Sequence, residues 1–141
     1  MPRLGCLAFR RDEDGAVAVE FALVVPVFLL MVFGIVDLGR AYYTVNNLVS
    51  AAREGARYAS VLPDPTAIAD SVRLVVANTG NGLGAGAIPS SLVDVAVDRT
   101  LNTVTVTVRN YPFKLITPFA GTIGRSTILM SKSATFHWEH S

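Results

Sequence analysis

The sequence has one cysteine, two histidines and few charged residues, and each shortage excludes a class of function. The single cysteine, Cys6, cannot form an internal disulfide or a multi-cysteine metal site. Charged residues make up 16% of the chain and the formal net charge is +1, so we expect no basic surface for nucleic acid. Hydrophobic residues make up 51%, which is apolar for a soluble protein and points to a membrane segment.

The two histidines, His137 and His140, lie at the end of the sequence on either side of Trp138-Glu139. A metal site would require His137, Glu139 and His140 to converge, but neighbours in a strand alternate faces and chain ends fray. No spacing of serine, histidine and aspartate suggests a catalytic triad. We therefore expect no enzyme activity, no metal or other cofactor, and no small-molecule substrate.

The apolar residues are concentrated in one block, Ala16 to Val36, in which Glu20 is the only charged residue. Its 21 residues are enough for a helix to cross a hydrocarbon core of about 30 Å. The block is longer than the apolar core of a secretory signal peptide, and no small-residue cleavage site follows it. We therefore predict a transmembrane segment over residues 16–36, kinked or loosened at Pro26 by the missing backbone donor.

The flanks of this segment bear on its topology. Leu4-Gly5-Cys6 has part of the pattern of a lipoprotein signal, but no apolar stretch precedes it, so we expect no lipid attachment. Three arginines precede the segment and three follow it before the first breaker, so the positive-inside rule barely separates the two orientations. Arg10 and Arg11 lie closest to a boundary, which favours a cytoplasmic N-terminus and an extracytoplasmic C-terminal domain.

One family is indicated by a set of features within residues 15–59. Gly15 is followed by Glu20-Phe21, which lie inside the apolar run and behind a short charged segment. The remaining features are Pro26, the run FGIVDLGR from Phe33 to Arg40, and the run AAREGARYA from Ala51 to Ala59. This stretch resembles TadE-like proteins, which are minor pilins or pseudopilins of the tight-adherence (Tad, Flp-type) pilus.

The resemblance implies that residues 1–15 are a leader, cleaved after Gly15 by a membrane prepilin peptidase to leave Ala16 as the N-terminus. Glycine suits close backbone approach by a protease, although an ordinary glycine preceding a helix is the alternative. Glu20, with Phe21, would then serve assembly, because a buried carboxylate needs an opposite charge or hydrogen bonds. The new α-amine, its own or a neighbour's, would supply that partner. Alternatively, Glu20 reaches the lipid head groups from near one end of the segment.

The resemblance also implies a location and partners. The protein would be a single-pass inner-membrane protein that contacts the lipid bilayer, the prepilin peptidase, other major and minor pilins, and the inner-membrane assembly platform. As a processed minor pilin, it would take part in assembly or initiation of the pilus, and the sequence leaves open whether it primes, caps or lies within the filament. The alternative is an unprocessed, membrane-anchored accessory or binding domain of the pilus or secretion apparatus.

Helical periodicity continues beyond the membrane and predicts an amphipathic stalk helix over residues 37–61. Its apolar stripe recurs at spacings of three and four: Leu38, Tyr42, Val45, Val49, Ala52, Ala56 and Ala59. Arg40, Asn46, Asn47, Arg53, Glu54 and Arg57 lie largely off this stripe. Ala51, Gly55 and Ala59 form a row of small residues that permits close approach of another backbone. A neighbouring pilin or the chain's own domain can occupy that row, and the sequence leaves both open.

Residues 62–141 predict a small extracytoplasmic α+β domain. Asp64-Pro65 is a helix-start signal, and we expect a helix from Thr66 to Ala77 that is stopped by Asn78-Thr79-Gly80. Alternating valines over 93–97 and 104–108 predict a hairpin with one buried face. A third strand is expected from about Thr127 to Trp138, with a bulge near Ser131-Lys132.

The segment between the second and third strands is expected to be irregular because of Pro112 and Pro118. Four of its side chains should pack on the sheet: Phe113, Leu115, Ile116 and Phe119. Trp138 should be buried together with Phe136 and Ala134. Because a domain this small buries limited apolar surface, the stalk stripe should complete its core. The predicted fold is therefore α+β and pilin-like: a long transmembrane and stalk helix packed against one further helix and a three-stranded antiparallel sheet.

Overall fold

A computed structural model describes residues 13–64, 67–82, 87–117, 121, 124 and 126–138. In chain order, its elements are α1 (Glu13–Ser60), α2 (Ala69–Gly82), a short 3-10 helix (Ser90–Leu92), β1 (Val93–Asp98), β2 (Thr103–Lys114) and β3 (Thr127–His137). The strands form one antiparallel sheet in the order β1-β2-β3. The α+β layout predicted from the sequence is confirmed.

α1 is a single helix of 48 residues, which is about 72 Å long at a rise of about 1.5 Å per residue. It begins before Gly15 and stays helical through Pro26. It ends at Ser60, whose hydroxyl donates a hydrogen bond of 2.9 Å to the carbonyl of Arg57. The boundary predicted between leader and membrane segment therefore lies inside this helix.

The packing around α1 changes at Asp37. Every side chain from Gly15 to Val36 is exposed or half-buried. From Asp37 onward, one face of the helix is buried under the rest of the chain. The buried positions are Asp37, Thr44, Asn47, Leu48, Ala51, Ala52, Gly55, Ala56, Ala59 and Ser60.

The predicted apolar stripe is correct only in its second half. Ala52, Ala56 and Ala59 are fully buried, whereas Leu38 and Tyr42 are 72% and 70% exposed. Asn47, which was expected off the stripe, is buried. Near its apolar half, the face of α1 that the domain covers carries polar side chains, and Asp37 among them accepts hydrogen bonds from Ile116 and Thr117.

α2 starts later than predicted, at Ala69 rather than Thr66. Asp64 accepts a long hydrogen bond of 3.4 Å from the backbone N–H of Ala67. The helix itself begins after Ile68, whose carbonyl accepts from the N–H groups of Ser71 and Val72. Asp64 therefore organises the approach to the helix instead of capping its first turn.

The predicted stop of α2 at Asn78-Thr79-Gly80 is wrong, since the helix continues to Gly82. Gly80 lies in contact with Ile88, and a Cβ atom at this position would lie 2.6 Å from Ile88 Cγ1. The glycine is thus used for close packing, and this packing holds the helix through a residue that would weaken it in isolation.

The hairpin of β1 and β2 is confirmed, with Val95 paired with Val106 and Val97 with Val104. The predicted bulge is also present, because two residues of β2, Arg109 and Asn110, lie opposite Ser131 of β3. Asn110 has a φ of 53°, which asparagine tolerates better than most residues. Its N–H donates a hydrogen bond of 3.0 Å to Ser131 Oγ. The extra residue therefore lies on β2.

β2 continues through Pro112, where an irregular segment was expected. The bulge precedes Pro112, and the proline is exposed and pairs with Leu129 at the altered register. Phe113 is buried, as predicted, but Ile116 is 52% exposed. Pro118 and Phe119 lie outside the described residues.

The core lies between α1, α2 and the inner face of the sheet. Its fully buried large side chains are Leu48, Ile88, Val72, Val76, Val104, Val106 and Val108. Trp138 is buried at 8% exposure beside this core, and its Nε1 donates a hydrogen bond of 2.9 Å to the carbonyl of Leu62. Phe136 is 37% exposed and Ala134 is half-buried, so the expected burial of Phe136 beside Trp138 is wrong. The second half of α1 completes the core, as the sequence predicts.

Candidate functional site

The candidate processing site, the bond between Gly15 and Ala16, lies in the first turn of α1. The helix starts at Glu13, and the first N–H groups of a helix have no intrahelical acceptor. Glycine further weakens a helix by about 0.5–1 kcal/mol relative to alanine. Opening a single turn therefore exposes this bond. The preceding residues 1–12, which include Cys6, lie outside the described residues.

Glu20 and Phe21 lie on one exposed face of α1. Together with Val17 and Val24 they line an open hollow on the helix surface. Positions 17, 20, 21 and 24 follow the spacing of neighbouring turns, so the carboxylate is flanked by apolar side chains. Glu20 is also four residues from Ala16, which places both on the same side of the helix. An α-amine created at Ala16 would thus lie about one turn from the Glu20 side chain.

The apolar part of α1 matches the requirements of a membrane span. Its most apolar 18 residues have a mean hydropathy of 2.7, and none of them is buried within the protein. The side chains include Phe21, Leu23, Phe28 and Met31, at 60–70% exposure. Pro26 lies within this part of the helix. Such a surface is unfavourable in water and suits lipid or other apolar helices.

The small-residue row of Ala51, Gly55 and Ala59 is buried inside the chain's own domain. A Cβ atom at Gly55 would overlap Cγ2 of Val76 on α2 and would contact Cγ1 of Val106 on β2 at 3.4 Å. The row thus brings α1 close to both α2 and the sheet, which is the second of the two arrangements that the sequence left open.

Asp37 forms a buried anchor that the sequence reasoning missed. Its carboxylate accepts hydrogen bonds from the N–H of Ile116 at 2.9 and 3.1 Å, and from the N–H of Thr117 at 2.9 Å. The Thr117 hydroxyl donates another. Arg40 forms an ion pair with Asp37 at 3.1 Å and also donates to the carbonyl of Lys114 at 3.3 Å. This anchor joins α1 to the segment that follows β2.

The environment of Asp37 favours its ionised form. The hydrogen bond from the Thr117 hydroxyl contributes most to lowering the pKa of Asp37, while burial acts in the opposite direction. The amides of Ile116 and Thr117 and the guanidinium of Arg40 lower it further, and the resulting pKa is about 2. The available signal in the sequence was an aspartate directly after the apolar block, three residues before an arginine.

No group of three or more histidine, cysteine, aspartate or glutamate side chains within the described part of the chain is arranged to hold a metal ion. His137 is the last residue of β3 and is exposed. Glu139 and His140, which the metal interpretation also required, lie outside the described residues.

Comparison with known proteins gives one result. No curated protein and no solved structure matches the chain. The model of the TadE-like protein family matches residues 15–57, which contain the candidate processing site, the apolar half of α1, Asp37 and most of the small-residue row. This match confirms the resemblance predicted from the sequence and associates the chain with the Tad pilus.

Proposed function

We propose that this protein is a minor pilin, or pseudopilin, which a prepilin peptidase cleaves after Gly15 and which takes part in assembly or initiation of a Tad-type pilus. Before assembly it is held in the inner membrane by residues 16–36, with its N-terminus cytoplasmic and its domain extracytoplasmic. The observation that carries this proposal is the division of α1: its apolar half is left uncovered by the domain, while its other half completes the core.

This division fits a protein that moves from lipid to a filament. The uncovered half needs an apolar environment, and other pilin helices can replace lipid without any change in the domain's own packing. Its partners would be the other major and minor pilins and the assembly platform. Glu20 would pair with an α-amine at Ala16 of its own or a neighbouring chain, since a carboxylate among apolar side chains requires a partner once water is excluded.

The test is the mature N-terminus of the protein isolated from its native membrane. Intact mass and N-terminal sequencing should give a chain that starts at Ala16. A Gly15→Leu variant should accumulate at full length, because the larger side chain obstructs backbone approach by the peptidase. Gly34→Leu is the matched control: position 34 has no atom within 4 Å of an added Cβ, so this variant should be cut like the wild type. Equal trimming of both variants would refute the assigned cut.

The alternative is an unprocessed, membrane-anchored accessory or binding domain of the pilus or secretion apparatus. One observation favours it: the Gly15–Ala16 bond lies within a helix that begins at Glu13, and helical backbone is less accessible to a protease than an extended chain. Full-length protein in the native membrane, with no Ala16 terminus and no protein in purified filaments, would support this alternative.

A further inference from the structure

The end of the domain beside the apolar helix half is fixed to α1 at Asp37. Asp37 is the first residue after the proposed span, residues 16–36. Its carboxylate binds the backbone N–H groups of Ile116 and Thr117 at 2.9–3.1 Å. The chain at Ile116 is therefore held next to the point where α1 leaves the hydrocarbon core.

With residues 16–36 spanning the hydrocarbon core, Ile116 would lie at the level of the lipid head groups. A bilayer is about 40–45 Å thick including its polar regions and about 30 Å thick in its hydrocarbon core, so each head-group layer is several ångströms deep. Ile116 is 52% exposed although the carboxylate fixes its backbone. An exposed isoleucine at this level is accounted for if its side chain contacts lipid.

The same end of the domain carries positive charge. Arg40 and Lys114 lie beside each other, with Arg40 Nη1 donating to the Lys114 carbonyl at 3.3 Å. The Arg40 guanidinium also lies 5.2 Å from the centre of the Phe113 ring, which fixes its position. Asp37, the carboxylate of this cluster, is buried and forms an ion pair with Arg40 at 3.1 Å, so the net positive charge comes from Lys114. The side chain of Lys114 remains exposed to bind a phosphate group.

The exposed face of α1 adds two further side chains that can contact the head groups. Leu38 and Tyr42 are 72% and 70% exposed. Side chains on a helix lean toward its N-terminus, which here is the direction of the bilayer. Tyrosine is enriched at membrane interfaces because its ring is apolar and its hydroxyl is polar. Beside the Asp37 anchor, the exposed groups are thus Leu38 and Tyr42 on α1 and Lys114 and Ile116 at and after the end of β2.

We propose that Leu38, Arg40, Tyr42, Lys114 and Ile116 form a membrane-docking surface that rests on the head groups of an anionic bilayer. The domain is then seated on the membrane by this surface instead of being carried away from it on a free stalk. The inference rests on the proposed membrane span. It adds to that function a set of lipid contacts that must break when the protein leaves the bilayer for a filament.

The test measures depth in the bilayer with single cysteine labels on the full chain carrying Cys6→Ser. An environment-sensitive fluorophore is attached at Ile116→Cys, at Leu101→Cys or at Val27→Cys, and the protein is reconstituted in phosphatidylcholine and phosphatidylglycerol vesicles. Leu101 is the matched control, because it is 67% exposed and lies in the turn before β2, at the far end of the sheet. Val27, at 61% exposure, reports on the span.

Nitroxide lipids labelled at the head group should quench position 116 several-fold more than position 101, and nitroxides deep in the acyl chain should quench position 27. Lys114→Ser should reduce the quenching at 116. Quenching at position 27 without quenching at position 116 would refute docking and leave the span intact. The same result is expected if a second copy of the chain covers position 116. Absence of quenching at 27 would refute the span and docking together.

Discussion

The two halves of α1 differ in whether the rest of the chain packs against them. From Gly15 to Val36 the helix carries large apolar side chains, and none of them is buried by the domain. From Asp37 to Ser60 the buried positions are mostly alanine, glycine and small polar residues. Small residues allow the domain to come close, whereas large exposed ones require a separate apolar environment. One continuous helix thus belongs to two environments, and its side-chain sizes indicate which half lies in which.

The two carboxylates near the ends of the apolar half show the same contrast. Asp37 is buried and accepts hydrogen bonds from Ile116 and Thr117 of the same chain. Glu20 is exposed on the apolar helix surface. A carboxylate with internal partners stabilises the fold, while one without them is available for a contact made only in an assembly. Changes in each half should therefore affect different measurements.

The largest effect on the domain is expected from Gly55→Leu. The added side chain would overlap Val76 on α2, and overpacking of a close-packed core costs about 1–3 kcal/mol or more when backbone must move. Because the contact joins α1 to α2, we expect more than about 3 kcal/mol, enough to leave a domain of this size largely unfolded. Thermal unfolding of the full chain in detergent, followed by circular dichroism of the sheet, measures it.

The matched control for this prediction is Gly39→Leu. Gly39 lies in the same half of α1 but has no atom within 4 Å of an added Cβ. Leucine at this position should leave the unfolding temperature unchanged or slightly raised, because it favours the helix by a few tenths to about 1 kcal/mol over glycine. Equal destabilisation by both variants would show that helix composition, and not the contact with α2, explains the effect.

The next largest effect is expected from Asp37→Ala. The variant leaves the N–H groups of Ile116 and Thr117 without their acceptor, and an unsatisfied buried donor costs about 1–3 kcal/mol. Partial access of water should limit the total to about 2–3 kcal/mol. Hydrogen exchange at these two amides should rise more than exchange in β1. Unchanged protection at Ile116 and Thr117 would contradict the anchor.

Asp37 should also make stability depend on acid. Its pKa in the folded chain, about 2, is below its ordinary value of 3.8, so the folded state binds its proton more weakly than the unfolded state. The contribution is therefore complete above pH 3.8 and is lost as the pH falls toward 2. Asp37→Asn removes this titration. The difference in unfolding free energy between wild type and Asp37→Asn should shrink across this range, and a constant difference would contradict the assignment.

The pattern of apolar residues was sufficient to predict most of the fold. The valine alternation in β1 and β2 and the phase change at Ser131 correspond to the observed hairpin and bulge. The pattern failed where packing overrides local preference: Gly80 continues a helix because Ile88 packs on it, and Pro112 lies in a strand because a bulge precedes it. Such long-range contacts are not visible in a local window of sequence.

Only the local features of the candidate site were predicted from the sequence, and the long-range contact was missed. The apolar block and its position relative to Gly15 and Glu20 are local features, and the family match over residues 15–57 covers them. The role of Asp37 was missed because its partners, Ile116 and Thr117, lie 79 and 80 positions away. Leu38 and Tyr42 were assigned to the buried stripe because spacing indicates that residues share a face but not which face the domain covers.

A smaller effect is expected from Trp138→Phe, which tests how the far end of the buried half is fixed. The indole N–H donates to the carbonyl of Leu62, just after α1 ends, and phenylalanine cannot replace that bond. Loss of the hydrogen bond and of some ring volume should cost about 1–2 kcal/mol. Arg99→Ala, which removes only the cation 5.9 Å from the ring centre, is the control and should cost less. Trp138→Phe should lower the unfolding temperature more than Arg99→Ala, and the reverse order would contradict the role of the indole hydrogen bond.

The smallest effect on the domain is expected from Glu20→Gln, and it tests the separation of the two halves most directly. The side chain lies in the uncovered half, so the unfolding temperature of the domain in detergent should not change. Co-purification with filaments should fall, because glutamine keeps the size of glutamate but cannot form an ion pair with an α-amine. Phe28→Leu, in the same half and 60% exposed, is an apolar control that should retain filament association. A shift in unfolding temperature with Glu20→Gln would mean that the uncovered half is coupled to the domain, and the division of α1 at Asp37 would then not separate membrane and domain functions.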